Sequence, residues 1–306
     1  MKTDKETRKS NILVLGISGM LGHTLFNKLL RYELFNVYGT SRSILPNKAW
    51  FTDPSKILSN IDAFNYNSVK QALESIKPDV VINCIGLVKQ LPVACDPVSA
   101  ITINALFPHK LAQLCKERGV RLIHISTDCV FDGSKGNYRE TDIPNATDLY
   151  GRTKLLGEID YSHCITLRTS IIGHELCSQH GLIEWFLAQQ NRVNGFTKTI
   201  FSGLPTVKLA EILAEHVIPN EKLSGVYHIS ADAISKYDLL SLVAEQYDKQ
   251  IEIIPDNTVV CNRSLNSDRF RNVTGYHPPV WPTLIKCMHA DWIKFNYSDK
   301  KQEPDL

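Results

Sequence analysis

Residues 11–22, "NILVLGISGMLG", decide how the rest of the chain is read. Asn11–Ile17 is a short apolar run ending at a glycine, the pattern of a buried strand. Gly16, Gly19 and Gly22 follow at spacings of three and three, and a helix-like segment runs from about Met20 to Arg31. Glycines so placed permit a tight turn, close approach of a pyrophosphate and close packing of helix on strand. The helix N-terminus adds amide donors and the positive end of its dipole. Gly16, Ser18, Gly19, Met20, Leu21 and Gly22 are therefore candidate contacts for a dinucleotide. A glycine turn alone is usually structural, but strand, glycines and helix in that order are the context dinucleotide binding requires.

Outward from this unit, strand and helix patterns alternate through the first 170 residues. "FNVYGTS" (35–41) is a second strand, and Ile61-Asp62 ends a short third. A helix over about 68–77 stops at Pro78, and "DVVINCIG" (79–86) is the next strand. Residues 96–119 carry Asp96 at an N-cap, Pro97 at the first helical position and Gly119 just past the end, which marks a helix despite Pro108. "VRLIHIS" (120–126), a helix at 149–160 and "CITLRTS" (164–170) complete the series. The alternation implies an α/β fold, a doubly wound parallel sheet covered on both faces. After residue 170 it loosens, with helices near 181–192, 206–217, 236–247 and 282–295 and strands at 225–230 and 250–254. The expected division is a dinucleotide-binding domain over 11–170, to which the 225–230 strand returns, and a smaller mixed α/β lobe over 171–300. That lobe would close the crevice outside the carboxyl ends of the strands, where ligands of such sheets bind.

Composition narrows the class. The 306 residues are 43% hydrophobic and 22% charged, and the net charge of +2 is spread along the chain. No nucleic-acid or membrane surface is expected from that balance. Residues 1–10 are polar, lack the apolar core of a signal peptide and are expected to be a short disordered lead. The eight cysteines are scattered and form no C-x-x-C pair, so neither a disulfide framework nor a metal site is expected. The expectation is a reduced, cytoplasmic protein.

Two further stretches bear on chemistry. After the second strand, "GTSRS" puts Thr40, Ser41 and Arg42 where NAD enzymes commonly place an acid. Hydroxyls and a cation suit a 2′-phosphate, which favours NADP(H) and leaves NAD(H) possible; the alternative for Arg42 is a solvated turn charge. Asp62 is either an acceptor for the adenine amino group or a turn-capping Asp. In "LYGRTKLLGE" (149–158), Tyr150 and Lys154 stand four apart on a helix capped by Asp148, so phenol and ammonium share one face.

With the glycine loop, Thr127 and the Tyr150/Lys154 pair in register, the chain resembles the extended short-chain dehydrogenase/reductases. It looks closest to the dTDP-4-dehydrorhamnose reductase group. The stretches that carry the likeness are "GISGMLG", "VVINCIG", "INALFPHKLA", "LIHISTDCVFDG", "YGRTK", "LRTSIIG" and "PTVKLAEIL". The resemblance implies a Rossmann-type domain and NADPH-dependent reduction of the 4-keto group of a nucleoside-diphosphate 6-deoxy sugar in surface polysaccharide synthesis. It also allows a homodimer. Tyr150 would give the carbonyl oxygen its proton, and Thr127 would orient that oxygen. Lys154, with the oxidised nicotinamide, would lower the phenol from its usual pKa of about 10 and would hold the ribose hydroxyls. Cys84, Ile85 and Gly86 would line the cofactor cleft, with Thr169 and Ser170 near the nicotinamide. Asn104 would tie the catalytic helix to a backbone carbonyl. Lys89 and Arg263 either meet substrate diphosphate or are solvated surface charges.

One departure is informative. Family dehydratases follow the threonine with Asp-Glu, and the reductases usually have an aromatic two places after it; here Asp128-Cys129 follows Thr127. A cysteine at this offset resembles GDP-L-fucose synthase, which epimerises with a Cys and a His before reducing, and His180 stands where that His is expected. An epimerase/reductase using Cys129 and His180 is thus an alternative; otherwise they are a packed thiol and an exposed loop His. A second alternative is a cofactor-binding regulatory subunit without catalysis.

Overall fold

The computed structural model of the protein describes residues 8–89 and 92–294. Most of the polar lead expected over 1–10 lies outside them, and Ser10 already opens the first strand. The first half comprises β1 (Ser10–Leu15), α1 (Met20–Leu29), β2 (Phe35–Thr40), β3 (Ile57–Leu58), α2 (Tyr66–Ile76), β4 (Val80–Asn83), α3 (Pro97–Ala100) and α4 (Phe107–Glu117). β5 (Arg121–Thr127), α5 (Leu149–Leu156), β6 (Cys164–Thr169), β7 (Ile171–Ile172), α6 (Leu182–Ala188), β8 (Arg192–Phe196), β9 (Thr199–Phe201), β10 (Leu204–Pro205) and α7 (Thr206–Ile212) follow. β11 (Gly225–His228), β12 (Ile234–Ser235), α8 (Lys236–Gln246), β13 (Glu252–Asp256), β14 (Cys261–Asn262), α9 (Asp268–Thr274) and α10 (Trp281–Lys294) complete it.

Seven strands form one parallel sheet in the order β11-β6-β5-β4-β1-β2-β3. The architecture is a Rossmann-type doubly wound α/β fold. The strand alternation of two sorts its side chains between two cores. Ile12 and Val14 of β1 face a core shared with Phe26, Leu213 and Ile285. Leu13 and Leu15 face the other, with Val69, Leu73 and Leu111. The first core runs on into Leu239, Leu240 and Trp281, so the helices after residue 200 pack on the sheet's own apolar face. Three small sheets, β10-β7, β12-β9-β14 and β13-β8, sit beyond the main one. Among the described residues no helix is long and apolar enough to cross a membrane.

Three local expectations are corrected. The third strand is Ile57–Leu58, ahead of Ile61-Asp62. The segment 97–117 is helical but opens into a π-turn at Ile101–Leu106, where the Phe107 N–H donates to the Thr102 carbonyl. Pro108, which follows, has no N–H for the Asn104 carbonyl and its ring crowds that group, so the wider turn relieves the conflict. The helix expected over 149–160 ends at Leu156. A side chain at Gly157 would put its Cβ 1.8 Å from the Asn104 carbonyl oxygen; the two helices close on each other at that glycine.

Gly157→Ala is expected to destabilise the fold by about 3 kcal/mol, an overpacking cost against backbone that cannot rotate away. Gly119→Ala is the control: its φ is +66° but nothing lies within 4 Å, so only the left-handed backbone cost of roughly 1 kcal/mol applies. Urea unfolding of both variants checks this, and equal midpoints would show that the Gly157 contact yields easily.

Candidate active site

The carboxyl ends of the sheet strands assemble the site. β1 runs into Gly16, whose φ of +86° only glycine adopts without cost. The Gly16 N–H is held by Thr40, through its carbonyl at 3.2 Å and its hydroxyl at 3.3 Å. A Cβ on Gly22 would stand 2.1 Å from the Gly16 carbonyl oxygen, so α1 can approach the turn only without a side chain there. No side chain caps α1 and its first turn holds no acid, which leaves its leading N–H groups to an anion. The cradle fits a pyrophosphate. Ser18 is exposed at its lip, Met20 is half-buried, and Leu21 and Gly22 are buried beneath. His23, which sequence reading missed, is fully buried with its Nδ1 3.0 Å from the Gly19 carbonyl. Nothing in the sequence set it apart from an ordinary helix histidine.

At the end of β2, Thr40 is engaged by the glycine turn, and Ser41 donates to the Ser43 carbonyl at 2.8 Å. Arg42 is exposed. Asp62 is a turn-capping residue: its Oδ1 accepts the Phe64 N–H at 3.0 Å.

After β4, burial pushes the Cys84 thiol up to about 12. The Ile85 N–H is held by Asn83 Oδ1 at 3.1 Å. A Cβ at Gly86 would lie 3.5 Å from Asn104 Oδ1 and 4.0 Å from Lys154 Nζ, so this loop, Asn104 and Lys154 converge. Asn104 does more than bind one carbonyl. Its Oδ1 accepts the Leu87 N–H at 2.8 Å, its Nδ2 donates to the Leu87 carbonyl at 3.0 Å, and Nδ2 also reaches the Thr153 hydroxyl of α5 at 3.4 Å. Lys154 is 5% exposed and donates to the Ile125 carbonyl at 2.8 Å. Burial lowers its ammonium to about 8, against the opposing pull of Glu158.

Asp148 caps α5 by accepting the Gly151 N–H at 2.9 Å. The Tyr150 phenol that follows lies close enough to Thr127, at the end of β5, for that hydroxyl to act on it. A Cβ at Gly151 would be 2.3 Å from the Cys129 carbonyl oxygen; its absence lets α5 bring Tyr150 this close. The lowering expected from Lys154 acting with an oxidised nicotinamide concerns the cofactor-bound enzyme. In the protein alone burial, then the neighbouring Cys129, raises Tyr150 above its ordinary value and outweighs the opposing effect of Thr127.

Thr127 Oγ1 accepts the Cys129 N–H at 3.1 Å and lies 3.2 Å from Asp128 Oδ1. Asp128 is buried and its carboxyl is raised by that burial. Cys129 is pushed up to about 11, by burial first and then by Asp128, so it is a neutral thiol near pH 7 rather than a ready base. His180 is exposed on the loop whose Gly181 N–H donates to Glu175 at 2.6 Å. The described interactions of Cys129 are with Thr127, Asp128, Tyr150, Lys89, Lys236 and Arg263 and do not include His180.

Arg263 follows β14, yet its Nε donates to the Phe131 carbonyl at 2.8 Å and its Nη1 stands 3.9 Å from Cys129 Sγ. The "VFDG" stretch seats it: Phe131 stacks on Tyr138 at 4.1 Å, and the Gly133 carbonyl takes the Asn262 N–H at 2.7 Å. Exposed Lys89 and half-buried Lys236 also act on Cys129 and Asp128 or are acted on by them. Lys236 was missed because a lysine opening a helix reads as surface. Thr169 is buried at the end of β6, opposite Thr127 in register, and donates to the Ser170 carbonyl at 3.2 Å. Behind the site, Glu158 accepts Ser126 at 2.7 Å and pairs with Arg168 through both oxygens at 2.8 and 2.7 Å.

A family model described as "RmlD substrate binding domain" matches residues 10–268. The dTDP-4-dehydrorhamnose reductase of Aggregatibacter actinomycetemcomitans is 26% identical over 307 residues, which span 92% of this chain and 99% of that protein. Methionine adenosyltransferase 2 subunit beta of Bos taurus is 30% identical over 312 residues, 90% of this chain and 88% of that one. Among solved structures, a dTDP-4-dehydrorhamnose reductase from Bacillus anthracis in complex with NADP aligns over 93% of this chain and 100% of its own. Its TM-score is 0.76 at 19% identity.

Lys154 gives a stability test. Its folded pKa of about 8 lies below the unfolded value near 10.5, so the fold disfavours its charge below pH 8, and that penalty fades as pH rises toward 10.5. Lys154→Met should therefore stabilise the protein at pH 7 by on the order of 2 kcal/mol, after subtracting the lost bond to Ile125. The gain should shrink between pH 8 and 10.5 in urea titrations. A gain independent of pH would show that the ammonium carries no burial penalty.

Proposed function

The chain belongs to the RmlD substrate binding domain family, and from that membership we propose that it is an NADPH-dependent reductase of the 4-keto group of a nucleoside-diphosphate 6-deoxy sugar. The observation that carries this reading is the proton-holding Tyr150 close to Thr127, with Arg263, Lys89 and Lys236 ranged about the neighbouring Asp128 and Cys129. The relatives named as dTDP-4-dehydrorhamnose reductases, one of them in complex with NADP, support it. Its place would be in surface polysaccharide synthesis in the cytoplasm.

A bound NADPH supplies hydride to the carbonyl carbon. The glycine cradle and the α1 N-terminus would hold its pyrophosphate, Arg42 its 2′-phosphate, and Lys154, beside Cys84 and Gly86, its nicotinamide ribose. Tyr150 gives its proton to the carbonyl oxygen. A phenol that is protonated at neutral pH is in the right state to donate, and the Thr127 hydroxyl would fix where that oxygen sits. Lys89, Lys236 and Arg263 meet the substrate diphosphate, whose charge needs cations in a partly dry crevice.

The bovine relative favours a second reading, a cofactor-binding subunit of a larger assembly without turnover of its own. Thr127, Tyr150 and Lys154 together speak for catalysis. Loss of NADPH absorbance with a panel of 4-keto nucleotide sugars separates the two readings: binding without oxidation across the panel would leave only the subunit. Epimerisation is disfavoured by the neutral Cys129 thiol and exposed His180, so product formed in D2O should carry no ring deuterium. Label beside the former ketone would reinstate Cys129 as a base.

Tyr150→Phe should lower kcat by about a hundredfold or more, the usual share of a positioned acid, and leave the Kd for NADPH nearly unchanged. Activity within about tenfold of the parent would remove Tyr150 from the proton step. Arg42→Ala should raise the KM for NADPH by roughly one to two orders of magnitude, a charge-assisted bond of about 1.5–3 kcal/mol. NADH has no 2′-phosphate, so its KM should hold; equal effects would make Arg42 a turn residue.

A further inference from the structure

The Arg263 guanidinium takes its direction from one backbone bond. Its Nε donates to the Phe131 carbonyl at 2.8 Å, and its Nη1 stands 3.9 Å from Cys129 Sγ. The fork is planar and rigid, so the position of that carbonyl sets where the Nη groups point. Phe131 lies beyond the end of β5 and in no strand, so no sheet ladder fixes it. Its ring is what is held. The ring is fully buried, stacked on Tyr138 with centroids 4.1 Å apart and planes 7° apart, and met edge-on by His228 at 5.9 Å. The guanidinium of Arg168 lies over it, 5.3 Å from the centroid.

Arg168, on β6, is 5% exposed, and every side of its head group is used. Nε and Nη2 hold both oxygens of Glu158 at 2.8 and 2.7 Å, and Nη1 stands 3.3 Å from His228 Nε2. Arginine only donates, so Nε2 accepts and the imidazole proton lies on Nδ1, which donates to the Tyr138 carbonyl at 3.0 Å. Tyr138 is the residue stacked on Phe131. Arg168 thus reaches Phe131 twice, by its own face and through His228 and Tyr138. A buried ion pair that served stability alone would need only the two bonds to Glu158. The remaining contacts run to the segment that seats Arg263.

We propose that Arg168 is the positioning residue of the diphosphate site: by holding Phe131 against β6 and β11 it sets where Arg263 meets the substrate. This rests on the reading above, in which Arg263 binds the diphosphate. Arg168 itself touches neither substrate nor cofactor and acts through the Phe131 carbonyl. Lysine in its place keeps a cation for Glu158 and leaves no buried carboxylate unpaired. A lysine ammonium is a point charge, and it cannot hold Glu158 at two points, reach His228 and lie flat on Phe131 together. Arg168→Lys therefore loosens the seat of Arg263 and spares the charge balance behind it.

Calorimetric titration of the NADPH-loaded protein with dTDP and with UDP tests this in the parent, Arg168→Lys, Arg263→Ala and the double variant. Arg168→Lys should weaken the diphosphate that the parent binds by roughly tenfold, the low end of a charge-assisted hydrogen bond. Its Kd for NADPH should be unchanged. In the Arg263→Ala background the same substitution should cost nothing further, because its route to the ligand is gone. A merely structural residue would weaken binding in both backgrounds alike. Equal losses in both, no loss in either, or a parallel loss of NADPH affinity would overturn the proposal and leave the reductase reading standing. So would an Arg263→Ala variant that binds the diphosphate as the parent does. A parent that binds neither diphosphate overturns the reductase reading, and the proposal falls with it. Should Arg168→Lys not fold, Phe131→Leu takes its place. It keeps the carbonyl, removes the ring under Arg168, and should show the same loss with Arg263 present and none without it.

Discussion

One buried amide sets the spacing of everything around the site. Asn104 binds both backbone groups of Leu87 and reaches Thr153, while its own carbonyl lies against Gly157. Its side chain therefore fixes the loop after β4 against α5, and its main chain fixes how near α5 can come. Both depend on the π-turn, which exists because Pro108 cannot continue the α-helical pattern. Had the helix run regularly through residues 101–106, the residues around Asn104 would face a different direction. The geometry of Tyr150 and Lys154 thus rests on an irregularity two elements away.

Burial in this site decides protonation states before any charge pair does. Lys154 is lowered although Glu158 opposes the shift, and Tyr150 is raised although Thr127 opposes it. The Cys129 thiol rises for the same reason. His228 falls to about 3, from burial first and the Arg168 charge second, and serves as a neutral ring bonded to the Tyr138 carbonyl at 3.0 Å. Among these groups the fully formed ion pair is Glu158–Arg168, where two-point geometry offsets desolvation. A dry crevice of this kind keeps a donor tyrosine loaded, at the cost of holding Lys154 close to losing its charge.

How much was legible in the sequence follows from how local each feature is. The βαβ start was readable because its glycines, strand and helix lie within twelve consecutive residues, and buried parallel strands announce themselves as apolar runs. The Tyr150/Lys154 pair was readable by helical spacing. The two-residue strands β7, β10, β12 and β14 carry no period to detect, and β8 hides behind polar outward positions. The raised Tyr150 phenol of the protein alone was not legible, because desolvation is a property of the assembled fold and not of spacing along a helix. Lys236 could not have been found at all, since nothing in "ISKYDLL" marks its lysine as facing Asp128.

On the proposed reading the substrate side of the crevice is built from distant pieces, and that would shape how such a chain changes specificity. The cofactor side is one contiguous unit whose glycines admit few substitutions, because backbone fills the space a side chain would need. Lys89, Lys236 and Arg263 come from three separate segments, and each reaches the site over its own loop or strand end. Arg263 is anchored mainly by main chain, through the Phe131 carbonyl and the Gly133–Asn262 bond, while its Nη1 stands 3.9 Å from Cys129 Sγ. Because that anchor lies apart from position 129, a cysteine can stand where the resembled reductases carry an aromatic while the cation keeps its seat.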